Sequence, residues 1–195
     1  MTTMGGMSMV IDIQDFGVDK VHLGCGTVRL AGWLNVDLNN SSSVDLNENI
    51  LDIQFGSGTV QEIYACHVIE HLEPAQCSAL LASCYRWLAV GGKLWLAVPD
   101  FNAIVSHYLE IKDISVLRGL LLGGGKDAYD IHRNVFDFCS LQNVLRNAGY
   151  VNICRYDWRE HYVGINDIDD FSQAYLPHMN KATGRLMSLN ISAEK

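Results

Sequence analysis

Two glycines and an aspartate near the start of the chain have the types and spacing of a nucleotide-binding loop. A short apolar stretch runs from Val21 into Gly24-Cys25-Gly26, and a second short stretch ends at Asp37. Glycine lets the backbone adopt positive φ and lets a ligand approach without meeting a Cβ atom. A carboxylate at the end of the second strand can accept hydrogen bonds from both hydroxyls of a ribose. We therefore predict that Gly24, Gly26 and Asp37 bind an adenosine-containing cofactor.

The distance between the loop and the acid favours one class of cofactor over another. Asp37 comes 13 positions after Gly24, whereas ~20 positions are usual in a dinucleotide-binding fold. The segment 27–33 has room for only one or two helical turns before the second strand. This short spacing argues against NAD as the cofactor.

Histidines are the candidates for a general base, because an unperturbed imidazole changes its charge near neutral pH. His67 directly follows the fourth predicted strand, where a side chain can face a ligand; alternatively, its imidazole only caps the following helix. His132 lies past a glycine-rich joint, where a mobile segment could close over a substrate; it could equally be a surface histidine. The other candidates are His71 and His107.

The segment from His67 to His71 also matches the H-x-x-E-H pattern of a group of zinc peptidases, with Glu70 as the acid. Two histidines four positions apart on a helix can share a metal ion. The context differs, because the pattern is expected to open a helix directly after a buried strand. We therefore predict no metal site, and a zinc hydrolase acting through these three residues is kept as a lesser alternative.

Strand-like and helical patterns alternate between residues 20 and 150, and this alternation predicts the fold class. The predicted strands lie at 20–23, 34–38, within 44–51, and at 59–66, 93–98, 151–158 and 187–193. We expect an α/β fold with a Rossmann-like, doubly wound, mostly parallel sheet, helices on both faces and a ligand site at the carboxyl ends of the strands. The last two strands are expected to pair antiparallel at a sheet edge.

Several residues predict where helices begin and end. Glu73 and Pro74 are expected to start the first long helix and Gly91-Gly92 to end it, while Ser140 is expected to cap a later one. Asp100 follows the fifth predicted strand, where an acid either touches a substrate or caps a helix.

The length of 195 residues suits one domain spanning 1–195, with an N-terminal extension at 1–18 and a long loop at 159–184 before the last strand. That loop exceeds the ~15 residues beyond which a structureless connection is suspect or functional. We expect it to fold over a bound substrate or to form a subunit contact, the alternative being a solvated acidic loop. Its notable side chains are Tyr162, Asp167, Asp169, Asp170, Tyr175 and His178.

Composition excludes several classes of partner. The net charge is −8 and the 14 lysines and arginines form no basic patch, so no nucleic-acid substrate is expected. The six cysteines form no Cys-x-x-Cys pair, and several have apolar neighbours, which is typical of reduced thiols. No run approaches the ~18 apolar residues of a membrane span. We expect a cytoplasmic protein without a membrane span.

Five segments in this order resemble the class I S-adenosylmethionine-dependent methyltransferases, in particular small bacterial members of a type-11-like group. They are residues 21–27 (VHLGCGT), 35–37 (NVD), 62–72 (EIYACHVIEHL), 87–100 (WLAVGGKLWLAVPD) and 145–150 (LRNAGY). The resemblance implies a seven-stranded sheet whose last strand is antiparallel. It also implies S-adenosylmethionine (SAM) as the cofactor and S-adenosylhomocysteine (SAH) as the product.

The resemblance further implies which residues contact the cofactor. They would be His22, Gly24, Cys25 and Gly26 under the methionine part, Asp37 followed by Leu38 at the ribose, Asp52 and Ile53 at the adenine, and His67 near the sulfonium and the acceptor. The sequence departs from the family pattern at His22, where an acid is usual, and at Val28, where a third glycine is frequent.

The function implied is methyl transfer to a small-molecule acceptor, for instance a sugar or a polysaccharide precursor. The leaving group departs neutral, so the protein mainly aligns the acceptor and excludes water. His67 and His132 are the predicted catalytic residues. A non-catalytic protein that binds SAM or a related nucleoside is the main alternative, and a homodimer is left open.

Overall fold

A seven-stranded sheet organises the molecule. The computed structural model describes residues 10–161 and 169–195. Within these residues the sheet consists of β1 Lys20–Leu23, β2 Leu34–Asp37, β3 Leu46–Asn47, β4 Val60–Cys66, β5 Leu88–Pro99, β6 Val151–Arg155 and β7 Ser188–Glu194. The spatial order is β3-β2-β1-β4-β5-β7-β6, and only β7 runs antiparallel to its neighbours. The predicted mostly parallel α/β sheet with an antiparallel last strand is confirmed.

Helices and short elements connect these strands. The α-helices are α1 Pro74–Trp87, α2 Phe101–Ile111, α3 Arg118–Leu122, α4 Phe138–Asn147 and α5 Trp158–His161. Single 3-10 turns occur at Ile13–Phe16, Ile69–His71, Ser115–Leu117 and Phe171–Gln173. Two small strand pairs join Val10–Ile11 to Gln54–Phe55 and Tyr175–Leu176 to Arg185–Leu186. The segment before β7 that was expected to be a loop therefore contains regular structure.

The two faces of the sheet are covered differently, because successive side chains of a strand point to opposite faces. One face carries Val21, Leu23, Ile63, Ala65, Leu94 and Leu96, which pack in the main core with α1 and α4. The opposite face carries a smaller aromatic cluster that includes Tyr64 and Trp95, against which Trp158 of α5 packs. Residues 24–33 form turns without a helix, so the second face is covered by Leu30, Trp33 and short elements.

The start of α1 agrees with the sequence, but its end does not. Pro74 is the first helical residue, and the Glu73 backbone N–H donates to Gln76 Oε1 at 3.0 Å. The helix ends at Trp87 and not at Gly91-Gly92, because Leu88 already adopts extended backbone and pairs with Val60 of β4. The pair of glycines lies inside β5.

The cap of α4 is also different from the expected one. Asp137 caps the helix, since its Oδ1 accepts the Ser140 backbone N–H at 2.7 Å. Ser140 Oγ in turn accepts the Asp137 N–H at 2.9 Å. Both residue types favour the cap position, so the sequence pattern placed the start three residues too late.

Strand β7 lies inside the sheet and not at its edge, which the alternation of its residues did not indicate. It pairs with β6, as predicted, but it also pairs along its whole length with β5, so that β6 is the edge strand. Its apolar residues Leu189 and Ile191 are buried, and so are the intervening Ser188 and Asn190. Within the described part of the chain, no helix combines the length and the apolar character needed to cross a bilayer.

Candidate functional site

The loop after β1 turns at two glycines whose surroundings differ. Gly24 has a φ of +63° and Gly26 a φ of +55°, the left-handed region that favours glycine. A Cβ atom on Gly24 would lie 2.5 Å from Val68 Cγ2, whereas a Cβ atom on Gly26 would meet nothing within 4 Å. Gly24 is therefore packed against the segment after β4, while Gly26 faces open space through which a ligand can approach.

Asp37, at the end of β2, fastens this loop. The Gly26 backbone N–H donates to Asp37 Oδ2 at 2.8 Å, and the Asn39 backbone N–H donates to Asp37 Oδ1 at 2.7 Å. The residue is 8% exposed. A carboxylate offers about four acceptor positions, so two remain after these bonds. The side chain can therefore hold the loop and still accept hydrogen bonds from a ligand.

His22 is buried in the second face and is not on the open side of the loop. It is 2% exposed, and its Nδ1 lies 3.1 Å from Asn35 Oδ1. Asn35 also binds the backbone of Leu30 and the carbonyl of Trp33. Burial lowers the pKa of His22 to about 4, although the contact with Asn35 acts in the opposite direction. A neutral His22 therefore supports the segment between β1 and β2.

Cys25 and Leu38 flank these residues in different environments. Burial, followed by the charge of Asp37, raises the pKa of the Cys25 thiol to about 12. Its Sγ lies 3.9 Å from the Gly26 carbonyl oxygen, so the side chain packs as a neutral thiol. Leu38 is 41% exposed and offers apolar surface beside Asp37.

Asp52 and Ile53, the two residues predicted to contact an adenine, line a surface cavity beside helix α1. Asp52 is exposed, whereas Ile53 is 3% exposed and belongs to the main core. Both line a surface cavity of about 370 Å³ between the segment 49–54 and helix α1. None of the glycine-loop residues lines this cavity. The adenine contact of Asp52 and Ile53 thus stays a prediction.

His67 lies where the sequence places it, at the carboxyl end of β4. It has a φ of +53°, and its backbone N–H donates to the Ala97 carbonyl at 2.8 Å. Its Nδ1 is 3.0 Å from Glu70 Oε1, and its Nε2 is 3.5 Å from Ser188 Oγ. The imidazole therefore contacts a carboxylate and a hydroxyl, and its catalytic role stays a prediction.

His132 lies beside Glu70 and His71, the residues that end the H-x-x-E-H pattern. The ring centroids of His71 and His132 are 4.7 Å apart. Ligand atoms of Glu70, His71 and His132 all lie within 4.8 Å of one another. Burial lowers the pKa of His132. The H-x-x-E-H pattern contains two of the three residues of this cluster, but no local spacing indicates His132, which is 61 positions after His71.

The cluster differs from the arrangement of a zinc peptidase. The residues that share one position are Glu70, His71 and His132, and His67 is not among them. The pattern also does not open a helix, since Ile69–His71 is one 3-10 turn and α1 begins at Pro74. The hydrolase alternative therefore loses the two-histidine helix on which it depends.

Asp100 acts as a helix cap in this structure. Its Oδ1 accepts the Asn102 backbone N–H at 3.0 Å, and its Oδ2 accepts a hydrogen bond from Arg155 Nη1 at 3.0 Å. The residue is 6% exposed. Because both oxygens have protein partners, this aspartate holds α2 against β6.

The chain after α5 folds back over the same edge of the sheet. Tyr64 Oη donates to Asp170 Oδ2 at 2.6 Å. The Phe171 ring centroid lies 5.4 Å from that of His67, and 65% of Phe171 is exposed. An exposed aromatic ring thus stands beside the candidate base. Two of the six side chains named for the expected loop, Tyr162 and Asp167, lie outside the described residues.

The backbone is similar to solved methyltransferase structures at low sequence identity. A SAM-dependent methyltransferase from Thermotoga maritima is 13% identical with a TM-score of 0.57, over 90% of this chain and 81% of that one. The 1,6-didemethyltoxoflavin-N1-methyltransferase of Burkholderia thailandensis, solved with SAH bound, is 14% identical with a TM-score of 0.56, over 93% and 73%. The chain has the fold of the SAM-dependent methyltransferases.

A further methyltransferase structure with this fold, from Archaeoglobus fulgidus, is 14% identical with a TM-score of 0.55, over 92% of this chain and 87% of that one. No protein-family model matches the sequence, and no curated protein does. The similarity is therefore one of backbone fold. The roles of individual side chains must be argued from the contacts that each makes in this structure.

Alanine substitutions at the two loop glycines test their different surroundings. We expect Gly26→Ala to lower the free energy of unfolding by about 1 kcal/mol, because only the left-handed backbone is strained. Gly24→Ala should cost about 1–3 kcal/mol more, because its Cβ also meets Val68. Urea unfolding of both variants measures the difference. Equal losses would contradict the close packing of Gly24.

The buried state of His22 predicts how stability depends on pH. An unfolded histidine binds a proton near pH 6.5, whereas folded His22 resists it until about pH 4. The contribution of His22 to the free energy of unfolding is therefore complete above the unfolded pKa, and it is lost as the pH falls towards the folded pKa. The slope of unfolding free energy against pH should fall by about 1.4 kcal/mol per pH unit in His22→Gln between these values. Urea unfolding at several pH values measures it, and the exposed His178→Gln is the control. An unchanged slope in His22→Gln would show that His22 is accessible to protons in the folded protein.

Proposed function

We propose that the protein is a SAM-dependent methyltransferase that acts on a small-molecule acceptor. The observation that carries this proposal is the glycine loop held by Asp37 at the carboxyl edge of β1 and β2, in a chain with the methyltransferase fold. Ligands of open α/β sheets bind at this edge of the strands.

The residues present fit a nucleoside with an attached amino-acid chain. A Cβ atom on Gly26 would meet no atom within 4 Å beyond its chain neighbours, and Asp37 keeps acceptor capacity for ribose hydroxyls. Leu38 offers an apolar surface next to it. His22 and Cys25 fit a supporting role, because both are buried and partnered. When bound, SAM supplies an electrophilic methyl group on a sulfonium.

His67 is the proposed base for an acceptor hydroxyl or amine. The Glu70 carboxylate beside Nδ1 favours a proton on that nitrogen, which leaves Nε2 as the acceptor. Phe171 and Ser188 border the imidazole and would shape the acceptor side. His132 lies near Glu70 and His71 and is not grouped with His67. Its proposed role is therefore to support these residues and not to transfer a proton itself.

The acceptor class follows from charge. A net charge of −8 and the scattered basic residues disfavour polyanionic acceptors, so a small acceptor is proposed. The narrower choice of a sugar or a polysaccharide precursor rests on the family resemblance.

Calorimetric titration with SAM and SAH tests the cofactor. We expect both ligands to bind and Asp37→Ala to weaken them by about 10- to 100-fold, since hydrogen bonds to a charged group contribute about 1.5–3 kcal/mol. Asp113→Ala is the matched control, because Asp113 also accepts a backbone N–H, from Ser115 at 2.8 Å, but lies in the connection after α2. Absence of binding to the wild type would refute the proposal.

Turnover separates an enzyme from a binding protein. SAH formation would be followed with hydroxyl and amine acceptors, including free sugars. His67→Asn should lower kcat by about 100-fold or more, the usual contribution of a general base, while SAM affinity stays within about twofold. Asparagine tolerates the left-handed backbone at this position, and His178→Asn serves as the control. Full activity of His67→Asn would exclude His67 as the base.

A further inference from the structure

We propose that Glu70, His71 and His132 form a binding site for one divalent transition-metal ion at the carboxyl edge of the sheet. Their ligand atoms already lie within 4.8 Å of one another. An ion at about 2.0–2.2 Å from each would draw them to about 3.4 Å apart. Shifts of roughly 1 Å in the side chains would therefore complete the site.

The buried carboxylate of Glu70 is the first argument. Its residue is 1% exposed, and neither oxygen has a hydrogen bond of good geometry to any described residue. His67 Nδ1 lies 3.0 Å from Oε1, and no ion pair to Oε2 is found among the described residues. This contact compensates the carboxylate only in part, and a buried carboxylate without full compensation is destabilising. A divalent cation bound to the free side of the carboxylate would supply the missing compensation.

The state of the two histidines is the second argument. His132 Nδ1 lies 3.0 Å from the Leu120 carbonyl oxygen, and because a carbonyl can only accept, Nδ1 carries the proton. The lone pair is then on Nε2, and a backbone carbonyl bound to the other nitrogen is usual for a metal-ligating histidine. His71 Nδ1 is buried and has no hydrogen-bond partner among the described residues, so a ring nitrogen is available there too.

The two chain segments that supply the ligands are fastened to each other. The backbone N–H groups of Arg133 and Asn134 donate to the Glu70 carbonyl at 2.7 and 3.0 Å. The Asn134 side-chain amide also donates to the Leu72 carbonyl. His132 itself donates its backbone N–H to Leu122 at 3.1 Å. The cluster is therefore held by main-chain bonds on both sides, as a preorganised site requires.

The ligand set decides the kind of ion. Two imidazoles and one carboxylate suit zinc or another first-row transition metal, whereas magnesium and calcium prefer oxygen ligands. Three protein ligands leave at least one coordination position open. The ion would take a water molecule there or, if the proposed methyl transfer is correct, a hydroxyl oxygen of the acceptor, whose pKa the ion would lower. This last assignment rests on the proposed function, but the site itself does not.

Zinc titration of the chelator-stripped full chain, without SAM, tests the site. The wild type should bind one Zn²⁺ per chain and show a higher Tm with zinc, because the ion binds only the folded state. Glu70→Gln, His71→Ala and His132→Ala should each weaken zinc at least tenfold, whereas His107→Ala on α2 should bind like the wild type. Glu70→Gln keeps the shape of the side chain and removes its charge, so loss of zinc in a variant with normal circular dichroism supports ligation.

Two results would overturn the proposal: no stoichiometric zinc in the wild type, or wild-type affinity in both Glu70→Gln and His132→Ala. Titration with SAM on the same samples keeps the two proposals separate. Zinc binding without SAM binding would support the metal site and refute the methyltransferase, and the reverse result would refute only the metal site. For the acceptor assignment, turnover of hydroxyl acceptors should fall at least tenfold after chelation and return with Zn²⁺; turnover that is indifferent to chelation would refute it.

Discussion

The hydrogen bond between the Gly26 backbone and Asp37 is the contact on which the candidate site depends. It joins the loop after β1 to the end of β2 over 2.8 Å, and the Asn39 backbone binds the other oxygen of the same carboxylate. The Cys25 backbone N–H also donates to the Val36 carbonyl at 3.1 Å, so the turn is joined to β2 by two neighbouring bonds. A helix after β1 commonly fixes this turn in nucleotide-binding sheets, but here residues 24–33 form only turns.

Buried polar side chains take over part of the role of the absent helix. Asn35 binds the backbone of Leu30 and Trp33 and contacts His22 and Asp45. His22 and Asn35 are buried, where an unpaired polar atom would be costly, whereas Asp45 is exposed. The network holds His22 behind the loop, where burial lowers the pKa of its imidazole.

Much of the fold could be predicted from local patterns, and the exceptions share a physical cause. The glycine loop, the strand before His67 and the capped start of α1 depend on neighbours in sequence. The end of α1 depends on the pairing of Leu88 with Val60, and the place of β7 on its pairing with β5. The meeting of His71 with His132 depends on main-chain bonds from residues 133 and 134 to Glu70. No periodicity encodes contacts between segments so far apart along the chain.

The place of β7 has a consequence for how the chain acquires its structure. β6 has β7 as its neighbour in the sheet, yet β7 is made more than 30 residues after β6 on the ribosome. Until residues 188–194 emerge, β6 has no strand to join, and the outer side of β5 presents unpaired N–H and carbonyl groups. Such an edge is a template for pairing with another chain. The outer side of β5 is thus completed only after the last strand of the sheet has been made.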